Sequence, residues 1–185
     1  TSDQAAQLLA TGQIVGKRFH SAPVIRLADA KPMQLGYVAD ADGRWRLYAF
    51  AGRGDTGTQG GAMDALCACL ETDSASPILR SHREGADLDA QIDLRAVFQQ
   101  DFLSLRFEDM PGLLRPEKGR YGLRDFEKVF CVDKKSGQDI YDMRGIDREA
   151  GCMIVVRPDQ YVAHILPLDA TIALSEFFAQ IFRPA

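Results

Sequence analysis

The sequence predicts an α/β domain, a central mixed β-sheet with helices on its faces. Three stretches carry that expectation. Trp45-Arg46-Leu47-Tyr48-Ala49-Phe50-Ala51, preceded by the turn signal Asp42-Gly43, is aromatic-rich and nearly continuous in apolar character, as a strand buried on both faces must be. Met63, Leu66, Cys67 and Leu70 fall at i, i+3, i+4 and i+7, which places them on one face of a helix that packs on the sheet. Near the end, Cys152-Met153-Ile154-Val155-Val156 enters the turn Arg157-Pro158-Asp159-Gln160, with Pro158 at its favoured second position, and Tyr161-Val162-Ala163-His164-Ile165 returns as the hairpin partner. A closing helix follows, with Asp169 as its expected N-cap and Leu174, Phe177, Phe178 and Ile181 as its apolar stripe.

The remaining elements follow in order. Residues 1–15 carry Ala5, Leu8 and Leu9 at short helical spacing before Gly12 and Gly16, and read as a connecting arm; residues 16–185 read as a single domain. Ala22-Pro23-Val24-Ile25-Arg26-Leu27 reads as an edge strand, with Pro23 at its start where a missing N–H costs least, and a turn is expected from Asp29 to Pro32. Pro77-Ile78-Leu79-Arg80 reads as a short strand. Ile92-Asp93-Leu94-Arg95-Ala96-Val97-Phe98 reads as another, with Leu94, Ala96 and Phe98 on one face. From Asp101 to Gly122 the signals conflict, and a long surface excursion is expected. Lys128 to Val132 reads as a strand closed by the turn Lys134-Lys135-Ser136-Gly137, and Phe126, Phe130, Phe177, Phe178 and Phe182 are assigned to the core.

Composition narrows the function classes. The 185 residues, 46% of them apolar, suffice for one ordinary core. No run approaches the roughly 18 apolar residues of a membrane span, and no basic-then-apolar leader opens the chain, so a soluble cytoplasmic protein is expected. The first residues, Thr1-Ser2-Asp3, read as the start of a piece of a longer chain. A net charge of −4 with interspersed signs leaves no footprint for a phosphate backbone, so nucleic acid is not an expected partner. Cys67, Cys69, Cys131 and Cys152 read as free thiols, because a core of this size needs no staples.

The local motifs are weak. Gly52-Arg53-Gly54-Asp55-Thr56-Gly57 spells a dinucleotide fingerprint, but the helix after it starts late, near Gly61, and Glu71 and Asp73 precede the next strand instead of ending it. A flexible strand-to-helix loop is the expectation. A thiol-redox protein would keep its reactive cysteine in that same corner, where a helix N-terminus lowers a thiol pKa, and residues 52–62 contain none. Cys67 and Cys69, two positions apart on a helix, diverge by about 200°. His20, His82 and His164 are dispersed, no Cys or His stands at metal-ligand spacing, no serine elbow is present, and the charged span from Arg115 to Arg124 reads as solvated surface. No catalytic, cofactor-binding or metal residue is therefore assigned. The rival readings are a free-standing thioredoxin- or peroxiredoxin-like redox protein and a nucleotide-binding domain using Gly52 to Gly57.

The order of strand, helix, strand, terminal hairpin and helix is that of a thioredoxin-like layer. Longer stretches carry a more specific resemblance: Gly16-Lys17-Arg18-Phe19-His20-Ser21-Ala22-Pro23-Val24, Leu27-Ala28-Asp29-Ala30, the run from Asp42 to Gly52, Phe126-Glu127-Lys128-Val129-Phe130, Tyr141-Asp142, and the run from Ile154 to Val162. Together they resemble the C-terminal domain of the phenol hydroxylase and 3-hydroxybenzoate 4-hydroxylase group of FAD-dependent aromatic monooxygenases, from about Gly16 to the end of the chain. The resemblance implies a thioredoxin-like fold without the redox motif and a non-catalytic role in subunit contacts, with a homodimer as the expected assembly. It also implies that FAD, NADPH and the phenolic substrate are handled by a large N-terminal portion of the same chain. No flavin motif of that group has a counterpart in this sequence.

Overall fold

A computed structural model describes residues 2–182. Its helices are α1 (Ser2–Gln7), α2 (Ala62–Thr72), α3 (Pro77–Ser81), α4 (Ile140–Arg144) and α5 (Thr171–Ala179). Its strands are β1 (Pro23–Arg26), β2 (Lys31–Gln34), β3 (Trp45–Phe50), β4 (Ile92–Phe98), β5 (Glu117–Lys118), β6 (Leu123–Arg124), β7 (Val129–Val132), β8 (Cys152–Val156) and β9 (Val162–Leu166). Seven of these form one mixed sheet in the order β2-β1-β7-β4-β3-β8-β9, and β5 and β6 pair apart from it. β4 runs parallel to both β3 and β7, and the other pairings of the sheet are antiparallel. β3 and β4 are central and buried along nearly their whole lengths.

Two cores lie on opposite faces of the sheet. On one, Leu47, Ala49, Leu94, Ala96 and Phe98 meet Met63, Leu66, Cys67 and Leu70 of α2, Ile78 of α3, and Leu174 and Phe178 of α5. The four predicted residues of α2 are its buried ones. On the other face, Tyr48, Phe50, Val97 and Phe130 meet Ile140 and Tyr141 of α4 and Ala10 and Phe19 of the N-terminal segment. The segment expected as an arm therefore returns to the body: Ala10 is fully buried and bridges to Ile146, while Leu8, Ile14 and Val15 are exposed.

Several local expectations are corrected. β1 is not an edge strand, since it pairs with β7 as well as with β2; the edge is β2, and Pro32, expected in a turn, sits within it. Pro77–Ser81 is a helix, not a strand, because Pro77 takes the first helical turn, where its fixed φ fits and its missing N–H is no loss. α5 starts one residue later than expected: Ala170 is the N-cap, and Asp169 contributes its backbone carbonyl to Thr171 N rather than its side chain. α4 was not expected, although Asp139, which accepts from Tyr141 N at 2.8 Å, and the left-handed Gly145 bracket it. Phe126 is half exposed, lying over Phe107 instead of in the core.

Candidate functional site

The corner between β3 and α2 is where chemistry was weighed first. The loop from Gly52 to Gly61 is tied down by carboxylates: Asp55 Oδ1 accepts from Gly57 N at 2.9 Å and Oδ2 from Met63 N at 2.7 Å, and Asp64 Oδ2 accepts from Gly60 N at 3.0 Å. A carboxylate thus occupies the start of α2, where a cofactor phosphate would have to bind. Below it, Gln99 Nε2 donates to Ala51 O (3.0 Å) and Arg148 O (2.8 Å), and the buried Tyr141 hydroxyl lies 2.8 Å from Ala51 O and 2.9 Å from Val97 O. Gly151, at φ +66, closes the corner from the side, because a Cβ there would stand 2.1 Å from Phe50 O. The hydrogen-bonding groups of the corner are thus engaged by this chain's own side chains and backbone.

The loop from Gly52 to Gly61 carries no cysteine. Cys67 is buried in the middle of α2, and burial, reinforced by the charges of Glu71 and Asp64, pushes its thiol well above the usual range. Burial pushes Cys131 up to about 12 and drives Cys152 higher still. Thiolate chemistry needs the opposite shift. Among the described residues no group of three His, Cys, Asp or Glu side chains is placed to hold a metal ion.

The opposite end of the sheet holds a feature that periodicity did not reveal. Arg46, Asp93, Arg95 and Lys128 stand side by side at the starts of β3 and β4 and just before β7, all buried. Lys128 Nζ bonds Asp93 Oδ1 and also Asp89 Oδ2 (2.6 Å); Asp93 Oδ2 meets Arg95 Nε (2.8 Å) and Arg46 Nε (3.2 Å). Arg44 and Lys118 join from the rim at 3.3 and 3.0 Å from Asp89. Burial alone would push the Asp93 carboxyl up, but the adjacent Lys128 and Arg95 charges outweigh it and hold the group far below the ordinary carboxylate range. Every buried charge here has an opposite charge in contact, the condition under which such a cluster is tolerated. It joins three strands and the β5–β6 hairpin, so Lys118, expected as solvated surface, belongs to the network. Arg44 and Arg46 of the network also line a small hollow beside Phe19, Tyr48 and Gln160.

Comparison with known proteins places this geometry. The model of the phenol hydroxylase C-terminal dimerisation domain matches residues 1–185. The chain belongs to that family. It is 52% identical to the 3-hydroxybenzoate 4-monooxygenase of Comamonas testosteroni over 99% of its length, and 31% identical to the FAD-dependent monooxygenase terD of Aspergillus terreus over 96%. It is 28% identical to the phenol 2-monooxygenase fsqG of Aspergillus fumigatus over 92%. In each case the chain spans less than a third of the relative, 29% for the first two and 27% for the third. Among solved structures it resembles a thiol:disulfide interchange protein from Bacteroides sp. (TM-score 0.51, 13% identity, 94% of this chain and 93% of that one) and peroxidoxin BcpB from Mycobacterium tuberculosis (0.51, 10%, 93% and 99%). At such identities the likeness establishes the fold, which is thioredoxin-like.

For this dimerisation domain, the surface is therefore as pertinent as the corner. Exposed large apolar side chains include Tyr37, Leu103 and Ile172, standing apart, and two groups: Leu8, Ile14, Val15 and Tyr161 toward β9, and Tyr121, Leu123 and Phe126 on and beside the β5–β6 hairpin. Sequence reasoning flagged neither group, because exposure of a scattered apolar residue depends on how distant segments are brought together.

Proposed function

We propose that this chain is the C-terminal, non-catalytic dimerisation and stabilising domain of a longer FAD- and NADPH-dependent aromatic hydroxylase, cytoplasmic and acting on a phenolic substrate such as 3-hydroxybenzoate or phenol. The observation that carries the reading is the 52% identity over nearly the whole chain to a 3-hydroxybenzoate 4-monooxygenase of which the chain spans only 29%. Flavin, nicotinamide and substrate chemistry then belong to a preceding N-terminal portion, joined through residues 1–15, and a homodimer forms with this domain's help. The corner above α2, whose hydrogen-bonding groups are engaged within the chain, supports the assignment of no chemistry to this segment. It also counts against the free-standing redox reading, since a dithiol or peroxidatic enzyme needs an accessible, acidified thiol there.

The test is purification of the full-length protein beside the 185-residue chain. The longer protein is expected to carry flavin absorbance and to oxidise NADPH in the presence of a phenolic substrate, and the short chain to do neither. A full-length protein without flavin, or thiol-dependent turnover by the short chain, would overturn the reading.

A further inference from the structure

The two open edges of the seven-stranded sheet are chemically unalike. β2 presents Lys31, Pro32 and Gln34, all exposed. A charge and a residue lacking N–H are what keep a strand edge from meeting another chain. Among the described residues, main-chain hydrogen bonds reach the outer edge of β9 at its start, where Gly16 N donates to Val162 O and Val162 N donates to Lys17 O, each at 2.8 Å. From Ala163 to Leu166 the edge carries no charged residue and forms the floor of a trough walled by α1 and α5. Two adjoining hollows of about 430 and 440 Å³ make up that trough, lined by Ala6, Leu9, His164, Leu166, Ala170 and Ala173 among others. Ile165 N already donates to His164 Nδ1 at 3.1 Å, so the trough offers apolar surface more than free strand donors.

We propose that this trough receives a second copy of the chain across a two-fold axis, the α1–β9–α5 face of one protomer on the same face of its partner. The inference rests on the dimerisation reading and assigns it a surface. Nine residues make α5 about 13 Å long, and three elements side by side span roughly 20 Å, so the trough offers on the order of 300 Å² in projection. A stable interface takes about 800 Å² from each partner. Val15 lines the trough, and the exposed Leu8, Ile14 and Tyr161 add apolar surface outside it. An isologous interface needs a self-complementary patch, and a hollow walled by the alanines of α1 and α5 beside large exposed side chains supplies both the hole and the knob.

Sedimentation equilibrium of the chain tests this with Ala173→Arg and Val15→Asp in the proposed face and Leu123→Asp on the β5–β6 hairpin as the comparison surface. The wild-type chain is expected to dimerise. Each of the first two substitutions should weaken the dimer at least about 100-fold, because each places an unpaired charge in an apolar contact, and Leu123→Asp should leave it unchanged. Val15 is exposed, so its substitution reports on the face even if Ala173→Arg disturbs folding. A wild-type dimer unmoved by both substitutions overturns the face and leaves the dimerisation reading standing. A chain that stays monomeric up to about 1 mM overturns both.

Discussion

Lys128 shows what a buried charge contributes here and why it matters which charges are compared. Its ammonium is enclosed between Asp89 and Asp93, whereas the Arg53–Glu149 pair has both side chains mostly in solvent. The exposed pair is worth at most about 1 kcal/mol. Removing one partner of the buried set leaves carboxylates that neither water nor a cation fully satisfies, so Lys128→Met is expected to cost about 3–5 kcal/mol at pH 7. The pH dependence follows from the signs. Asp93, Asp89 and Asp42 are all held below their unfolded values, Asp42 at about 2, so their contribution is complete above the unfolded carboxylate pKa of about 4 and is lost as pH falls through the folded values. Urea unfolding from pH 7 to pH 3 should show wild-type stability falling below about pH 4 and the gap to Lys128→Met narrowing over the same range. Equal stabilities at pH 7 would remove the network from any structural role. In the sequence these residues alternate with apolar ones inside β4, where Asp93 and Arg95 look like the solvent face of a half-exposed strand. What makes that face interior is the set of partners the fold gathers around it, Arg46, Asp89 and Lys128, which no local pattern in β4 announces.

At the scale of elements, legibility follows length and periodicity. α2 was readable to the residue because eleven positions carry a full apolar stripe, and β3, β4, β8 and β9 because their apolar runs are long and bounded by turn residues. α3 and α4 have five residues each, too few for a period to register, and there the capping residues carry the signal. α2 also decides the thiol chemistry. Cys67 faces the core and Cys69, about 200° around the helix, lies at its partly exposed side, while Cys131 and Cys152 are sealed in the sheet. Alkylation of the native chain, followed by mass spectrometry, is therefore expected to modify Cys69 first, with the other three reacting only as the chain unfolds. Rapid native labelling of Cys67 would mean that α2 opens readily and that the corner above it is accessible after all.

For the whole molecule, the sequence disclosed the layering and the family but not the assembly surface. The trough beside β9 brings residues 5–9, near the start of the chain, against 163–173, near its end, and neither stretch has a pattern that differs from ordinary core edge. What distinguishes it is the contrast between the two ends of one sheet, a property that exists only once strand order is known. That contrast has a thermodynamic consequence. If folding and pairing are coupled through this face, dilution must destabilise the fold, because dissociation adds to the unfolded side of the equilibrium by mass action. The midpoint of thermal unfolding should thus rise by several degrees as the chain is concentrated about 100-fold, each tenfold step contributing on the order of 1.4 kcal/mol per dimer to the balance. The Ala173→Arg chain should melt at one temperature across the same series and at or below the lowest wild-type value. A wild-type midpoint independent of concentration would show that the fold owes nothing to its partner, since the two core clusters on opposite faces of the sheet would then be enough without the apolar edge between them being covered.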